Sequence, residues 1–354
     1  MKIIDRYIGG TVIGATLTVL LVLLAIFSFF SFVDELQDLG HGEYGLPQMA
    51  LVVVLRLPGM AYDLMPIAAL IGGLIGLGGL SERNEIAIVR SAGVSKGRVV
   101  WAAMKGGLVV VMMAILIGEF VFPSADREAR AVRGLTGNVH GGGRTARGFW
   151  ARDGDSFINI KEVLPGDRFR GINILEFDHG NRLLRATHAT SASYGDGQWR
   201  LQEIGQTDFT SGTPVARKLP SADWNSLLDP QLINMIAINP DALSALDLLR
   251  YVGFVENNGQ NAERWKHALW IKLAYPLAAA VMVYLAIPLV LGASRSVSSG
   301  RRILTGALIG LAFHILNQTS RQLGVVFGVP AALSALGPTL LLLAVALILH
   351  SRAH

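Results

Sequence analysis

Residues 81–96 read SERNEIAIVRSAGVSK and set two carboxylates, Glu82 and Glu85, at the head of a stretch with helical character. Ser81 suits an N-cap, the acids fall in the first turns where the helix dipole favours negative charge, and Gly93 beyond Arg90 suits a stop. The spacing predicts a short helix over roughly 82–93. Glu82 faces Ile86 and Glu85 faces Val89, so neither acid has a close partner within the helix. Two chemistries are open to it. Its carboxylates and the apolar ridge of Ile86 and Val89 can seat in a groove on another protein, or its acids can satisfy the dipole of a solvated loop helix.

Reaction chemistry is hard to find elsewhere. No G-x-x-x-x-G-K-[ST] phosphate loop, H-E-x-x-H motif or G-x-S-x-G nucleophile elbow occurs. The chain has no cysteine, which removes disulfides, thiolate ligands and thiol nucleophiles, and its 8 histidines are dispersed without metal-ligand spacing. HGGGR at 140–144 resembles an esterase oxyanion loop but lacks an elbow serine, so it reads as a glycine loop. Asp63 and Glu119 are the candidates for carboxylates within apolar runs, too few for a proton relay. The expectation is no catalytic residue, no metal site, no nucleic-acid contact, and an energy source on another chain.

The composition explains where such a helix would sit. Of 354 residues, 51% are hydrophobic and only 16% charged, well below the quarter charged of an ordinary soluble domain. The apolar residues collect in six runs, near 12–33, 49–80, 99–122, 269–291, 303–323 and 331–350, each long enough to cross a bilayer. The first is too long for a cleaved signal peptide and is followed by FSFVDELQDLG rather than a cleavage site.

Orientation follows from the basic residues. Lys2 and Arg6 precede the first run; Arg83, Arg90, Lys96 and Arg98 lie in the 81–98 connection; Arg295, Arg301 and Arg302 lie in 292–302. The 34–48 connection carries Asp34, Glu35, Asp38 and Glu43 without a base. Both termini and the basic connections are therefore expected in the cytoplasm, and residues 124–266 outside it.

That long segment has a different texture. FWARDGDSFINI reads as strand, Asp-Gly turn at 153–154, strand, and a meander with turns near 178–181 and 195–198 follows. Such strand spacing suggests a sandwich or jelly roll. Residues 241–258 return to helical spacing, with Leu243, Leu246, Leu249 and Val252 on one face and Asp241 as its start. The expected fold is a polytopic α-helical membrane protein of six transmembrane helices with an inserted all-β, jelly-roll-like domain: 1–123 with three spans, 124–266 as β domain with flanking helices, and 267–354 with three more.

Several residues could meet an amphipathic ligand. His314, Asn317, Gln318 and Arg321 recur at i, i+3, i+4 and i+7 as one polar face of the fifth run. Arg321 at its outer end could meet a lipid phosphate or snorkel to water. Phe27 and Phe30, with Phe29 and Phe32, add bulk to the first run; Arg127, Arg130 and Arg133 follow the third. Each also has an ordinary reading as packing, lipid contact or basic linker. Gly10–Gly14, Gly72–Gly76 and Gly306–Gly310 are small-residue pairs able to bring helices close.

The stretches DRYIGGTVIGATL, FVDELQDLG, MPIAALIGGLIGLGGLSERNEIAIVRSAGVS, GEFVFP and NPDALS together resemble the LptF/LptG permease family across essentially the whole chain, more closely its LptG-type than its LptF-type members. The resemblance implies a membrane subunit of an ATP-driven exporter that extracts lipopolysaccharide from the outer leaflet of the inner membrane and passes it to periplasmic β domains. It implies an LptF-type sister permease, an LptB-type ATPase dimer holding the ATP and Mg, and an LptC-type single-span partner, with no cofactor on this chain. The segment matching 82–93 becomes a coupling helix with Glu85 at the family's acidic position and Arg90 as an interface candidate. Arg130 and Arg133 match basic positions near the glycolipid's phosphates, and spans one and five line the lateral route. An LptF-type role, or a non-transporting mechanical relay using the same helix, are the alternatives.

Overall fold

Among the described residues, six helices carry enough apolar sequence to cross a membrane: Ile3–Glu35, Leu46–Glu82, Lys96–Arg133, Glu263–Leu291, Gly300–Gly324 and Ala331–Arg352. The structure, a computed structural model, describes residues 2–39, 45–135, 149–164, 168–178, 180, 182–195, 198–210, 213–224, 240–257, 262–291 and 298–352. HGGGR at 140–144, Glu43 and Arg295 lie outside them. The chain divides into two compact units, one of residues 1–138, 244–249 and 263–354, the other of 139–243 and 250–262.

The helical unit contains α1 (Lys2–Glu35), followed by a 3-10 turn (Leu36–Asp38), then α2 (Leu46–Glu82), α3 (Glu85–Ser91) and α4 (Lys96–Leu116). A π turn (Ile117–Val121) joins α4 to α5 (Phe122–Leu135), and after the inserted segment come α6 (Ala245–Asn257), α7 (Glu263–Leu291), α8 (Ser299–Phe327) and α9 (Ala331–Arg352). α2 and α7 form the centre: Ala68, Ala69 and Leu70 pack with Ala279, Met282 and Val283, all fully buried. Both helices contain prolines, Pro58 and Pro66 in one and Pro276 and Pro288 in the other, which spanning helices tolerate where neighbours re-satisfy the freed carbonyls.

Without a hydrophobic drive between helices in lipid, close van der Waals contact must hold them. Small residues allow it. A Cβ on Gly72 would strike the Thr16 backbone, with its N at 2.6 Å, so α1 lies directly on α2. Gly306 and Gly310 do the same for α8 on α2, with a Cβ meeting Leu74 at 2.8 Å and Ile67 at 3.0 Å. Gly10 and Gly14 face open space instead.

In the second unit, β1 (Phe149–Asp153), β2 (Ser156–Leu164), β3 (Arg168–Phe177), β4 (Leu183–Gly195), β5 (Gln198–Asp208) and β6 (Val215–Trp224) form one antiparallel sheet in sequence order. The inserted β domain is thus present, and its described strands run as an up-and-down meander without the crossovers that a two-sheet jelly roll contains. Asp153 pairs with Ser156, so the two-residue turn is Gly154–Asp155, one residue later than the Asp-Gly reading at 153–154, and Gly154 leads it at φ +58°. One face buries Ile158, Ile160, Ile172 and Ile174 at period 2, and Trp199, Leu201 and Ile204 of β5, where Glu203 (φ +52°) adds one residue between the last two; Phe169 meets Trp199 edge-on at 4.9 Å. Hydrogen bonds from Thr210, with Arg185 nearby, hold the Asp208 carboxyl below the usual carboxylate range. Burial pushes the Tyr251 phenol up to about 12.

α6 corrects the expected face. Leu248, Tyr251, Val252 and Val255 are buried, whereas Leu246 and Leu249 are 62% and 53% exposed. Its cap is Ser244, whose hydroxyl accepts from the Asp247 amide at 3.1 Å; Asp241 sits one 3-10 turn earlier.

Candidate functional site

α3 begins later than its acids suggested. The apolar α2 runs on through Ser81 and Glu82, with the Arg83 amide donating to the Gly79 carbonyl and the Asn84 amide to the Ser81 carbonyl, both at 3.1 Å. The helix stops only at Asn84, which takes the left-handed region at φ +57°, a conformation asparagine adopts more readily than most residues. Ser81 is therefore not the N-cap, Glu82 belongs to α2, and Glu85 opens α3.

Neither acid lacks a partner, because the partners come from other helices. The Tyr7 hydroxyl of α1 donates to Glu85 at 2.6 Å, and Arg83 stands 4.0 Å away. Glu82 accepts from the buried guanidinium of Arg302, near the start of α8, at 2.8 Å. Gly78 makes room for that arginine, since a Cβ there would lie 2.5 Å from Nη1. At the same end Asp5 of α1 accepts from Arg98 at 2.9 Å and Lys105 at 2.6 Å on α4. α3 is thus tied to α1, and the adjoining end of α2 to α8.

The apolar surface of α3 also differs. Ile86 is packed into the bundle core and pins α3 to its own chain, rather than standing on an outward ridge with Val89. Ile88 is 64% exposed, Val89 half-buried and Arg90 exposed. The outward surface is Ile88, Val89 and Arg90.

The opposite end of the bundle holds a second charge cluster. Glu35, the last residue of α1, is 2% exposed. Arg133 of α5 donates to it through Nε at 3.0 Å and Nη2 at 2.5 Å, and its Nη2 also reaches the other carboxylate oxygen. Arg56 of α2 donates to the same carboxylate at 3.3 Å. Arg130 is paired with Asp126 one turn back, and Arg127 with Asp247 at 3.1 Å. Arg127, Arg130 and Arg133 are thus each held by a carboxylate. Phe27 and Phe30 lie on the outward face of α1, 46% and 60% exposed.

The polar face of α8 is split. Arg302, Gly306, Gly310, Phe313, Asn317 and Gly324 form its packed stripe, and Asn317 is buried with its amide 3.4 Å from the Tyr275 hydroxyl. His314 and Gln318 are exposed beside that stripe, with Arg321 half-buried. Asn317 is a packing residue; the outward polar residues are His314, Gln318 and Arg321. Glu119 takes a structural part as well: its carboxylate accepts from the Ala245 and Leu246 amides at 2.8 and 3.3 Å, capping α6. The GEFVFP stretch at 118–123 therefore meets the start of α6.

Sequence reasoning missed Tyr7, Arg302, Glu35, Arg56 and Lys272. Arg56 and the buried Lys272, whose ammonium lies 5.5 Å from the Phe122 ring centre, each interrupt a long apolar run, and that interruption was the available signal. Tyr7 and Glu35 carry no such mark.

Comparison with known proteins adds a further finding. A family model described as the lipopolysaccharide export system permease LptF/LptG matches residues 6–352. The lipopolysaccharide export system permease protein LptG of Haemophilus influenzae strain Rd is 32% identical over 342 residues, covering 96% of this chain and 95% of that protein. Its namesake from Escherichia coli strain K12 is 32% identical over 342 residues, covering 95% of this chain and 94% of the relative.

Proposed function

The chain belongs to the LptF/LptG family of lipopolysaccharide export permeases, and on that premise we propose that it is the LptG-type membrane subunit of an ATP-driven exporter, taking lipopolysaccharide from the outer leaflet of the inner membrane. Its α3 faces the cytoplasm, flanked by Arg83, Arg90, Lys96 and Arg98, and its β unit faces the periplasm. An LptB-type ATPase dimer, which holds ATP and Mg, seats α3 against Ile88, Val89 and Arg90. An LptF-type sister subunit completes a cavity with the outward faces of α1 and α8, and an LptC-type single-span protein joins them. The ligand's acyl chains lie along exposed Phe27 and Phe30, with its phosphates near the outer arginines.

The observation that carries this reading is the pair of cross-helix links at α3. Tyr7 to Glu85 connects α3 to α1, and Glu82 to Arg302 connects the adjoining α2 end to α8. A push on α3 from below reaches α1 directly through Glu85 and Tyr7, and α8 through Glu82 at the adjoining end of α2. Packed helices move as units, so a small rotation of α3 becomes a displacement of α1 and α8.

The test is Glu85→Lys in proteoliposomes containing the assembled transporter. Hydrolysis should continue while ATP-dependent lipopolysaccharide release falls about tenfold or more, the scale of losing one charge-assisted contact. The melting temperature should stay near that of the parent. Normal release from this variant would remove the coupling role.

A further inference from the structure

The Glu35 cluster is built differently from an ordinary surface ion pair. One carboxylate, 2% exposed, is held by two guanidiniums from two other helices, Arg56 on α2 and Arg133 on α5. Met49 and Val52 of α2 pack with Val132 of α5 beside it. Burying the Glu35 carboxylate, with Arg133 16% exposed over it, has a desolvation cost that structural cross-linking alone does not require, since apolar residues of similar size hold helices as well. The three side chains also sum to a net charge of +1. Arg56 is 36% exposed and Arg133 16%, so the guanidiniums can be reached from outside while the carboxylate cannot.

The position of the acid matters. Glu35 ends α1 and is followed by a 3-10 turn over Leu36–Asp38, so it is the terminal contact of a helix and can leave without disturbing the rest of it. Below it on the same helix, Phe27, Phe29 and Phe30 are 46%, 65% and 60% exposed, an apolar surface next to a two-arginine seat. A forked guanidinium from Arg133 and a single Nη1 contact from Arg56 converging on one group suit a phosphate monoester better than a carboxylate, because phosphate offers three oxygens and up to two charges where a carboxylate offers two oxygens and one.

We propose that Glu35 is a built-in stand-in for a lipid-borne phosphate: it occupies Arg56 and Arg133 in the unloaded protein and yields them when a phosphorylated lipid enters. This rests on the reading of the chain as a lipopolysaccharide permease, and it adds to that reading a second arginine and a competitor carboxylate. Displacement of Glu35 unties the end of α1 from α2 and α5, so loading the lipid frees the span that must then move. An unloaded protein keeps that span fastened.

The experiment measures lipid binding to the assembled transporter in nanodiscs, using bisphosphorylated lipid A and the same lipid with both phosphates removed. Glu35→Gln keeps the side-chain shape and removes the competing charge. It should bind the phosphorylated lipid about tenfold more tightly and the dephosphorylated lipid unchanged. Adding Arg56→Gln should abolish that gain. Arg56→Gln alone, which leaves Glu35 on Arg133, should lower the preference for the phosphorylated lipid. Equal loss or no change for both lipids in Glu35→Gln makes the cluster a structural clamp and overturns the proposal. Displacement of the lipid by inorganic phosphate at matched phosphate concentration would assign the seat to the free anion and also overturn it. Failure of the parent protein to bind either lipid would remove the permease reading itself, a different result from a parent that binds while Glu35→Gln changes nothing.

Discussion

The Tyr7 hydroxyl donates to the Glu85 carboxylate at 2.6 Å, joining the first turns of α1 to the first residue of α3 across 78 positions of sequence. It is the direct side-chain bond between a spanning helix and the short helix proposed to meet the ATPase. Tyr7 is 52% exposed, so the bond contributes little to folding: an exposed hydrogen bond is worth about 1 kcal/mol or less.

Tyr7→Phe should therefore leave the melting temperature almost unchanged. It should raise the number of ATP molecules hydrolysed per lipid released, because α3 moves without carrying α1. Measuring hydrolysis and release in the same proteoliposomes checks this, and an unaltered ratio would show that Tyr7 transmits nothing.

Ile86 and Ile88 should separate stability from docking. Ile86 is buried in the bundle core, so Ile86→Ala should destabilise the protein by about 2–4 kcal/mol. Ile88 is 64% exposed, so Ile88→Ala should leave stability within about 0.5 kcal/mol. It should nevertheless weaken capture of the ATPase partner, read by co-purification and by thermal unfolding of the isolated chain in detergent.

The close crossing of α1 and α2 makes a further pair. Gly72→Ala puts a methyl into the Thr16 backbone and should lower stability by about 1–3 kcal/mol or force the helices apart. Gly10→Ala meets nothing within 4 Å and should be tolerated by the isolated chain. Comparing the two by detergent melting controls for helix propensity, which favours alanine at both sites.

Glu119 caps α6 through two backbone amides. Glu119→Ala should cost about 0.5–2 kcal/mol and release amide hydrogen exchange at 245–248 first, while Glu119→Gln retains part of the cap. If both variants exchange like the parent, the cap is held by Ser244 alone.

Much of the architecture could be read in advance. The six spans follow from long stretches of high mean hydropathy, and the hairpin turn beside Asp153 from a glycine, Gly154, that tolerates its backbone; both are local properties. The acids of 82–93 were visible as well, but their surroundings were not. Helical spacing alone left Glu82 and Glu85 unpaired and placed Ile86 outward, because it considers one helix at a time. Likewise, the period of α8 put Asn317 beside His314 and Gln318, although Asn317 is buried with its amide against Tyr275 of α7.

By itself, the sequence determined that this protein lies in a membrane as two sets of spans around a β insertion, since hydropathy and charge asymmetry are sums over neighbouring residues. Only the tertiary structure decided which charges are already neutralised. Arg133, Arg302 and the Ala245 amide, which donate to Glu35, Glu82 and Glu119, lie 98, 220 and 126 residues away from them, on helices whose meeting depends on where glycines let backbones approach. A carboxylate's chemistry is set by the cation within about 3 Å of it, and no distance along the chain reports that.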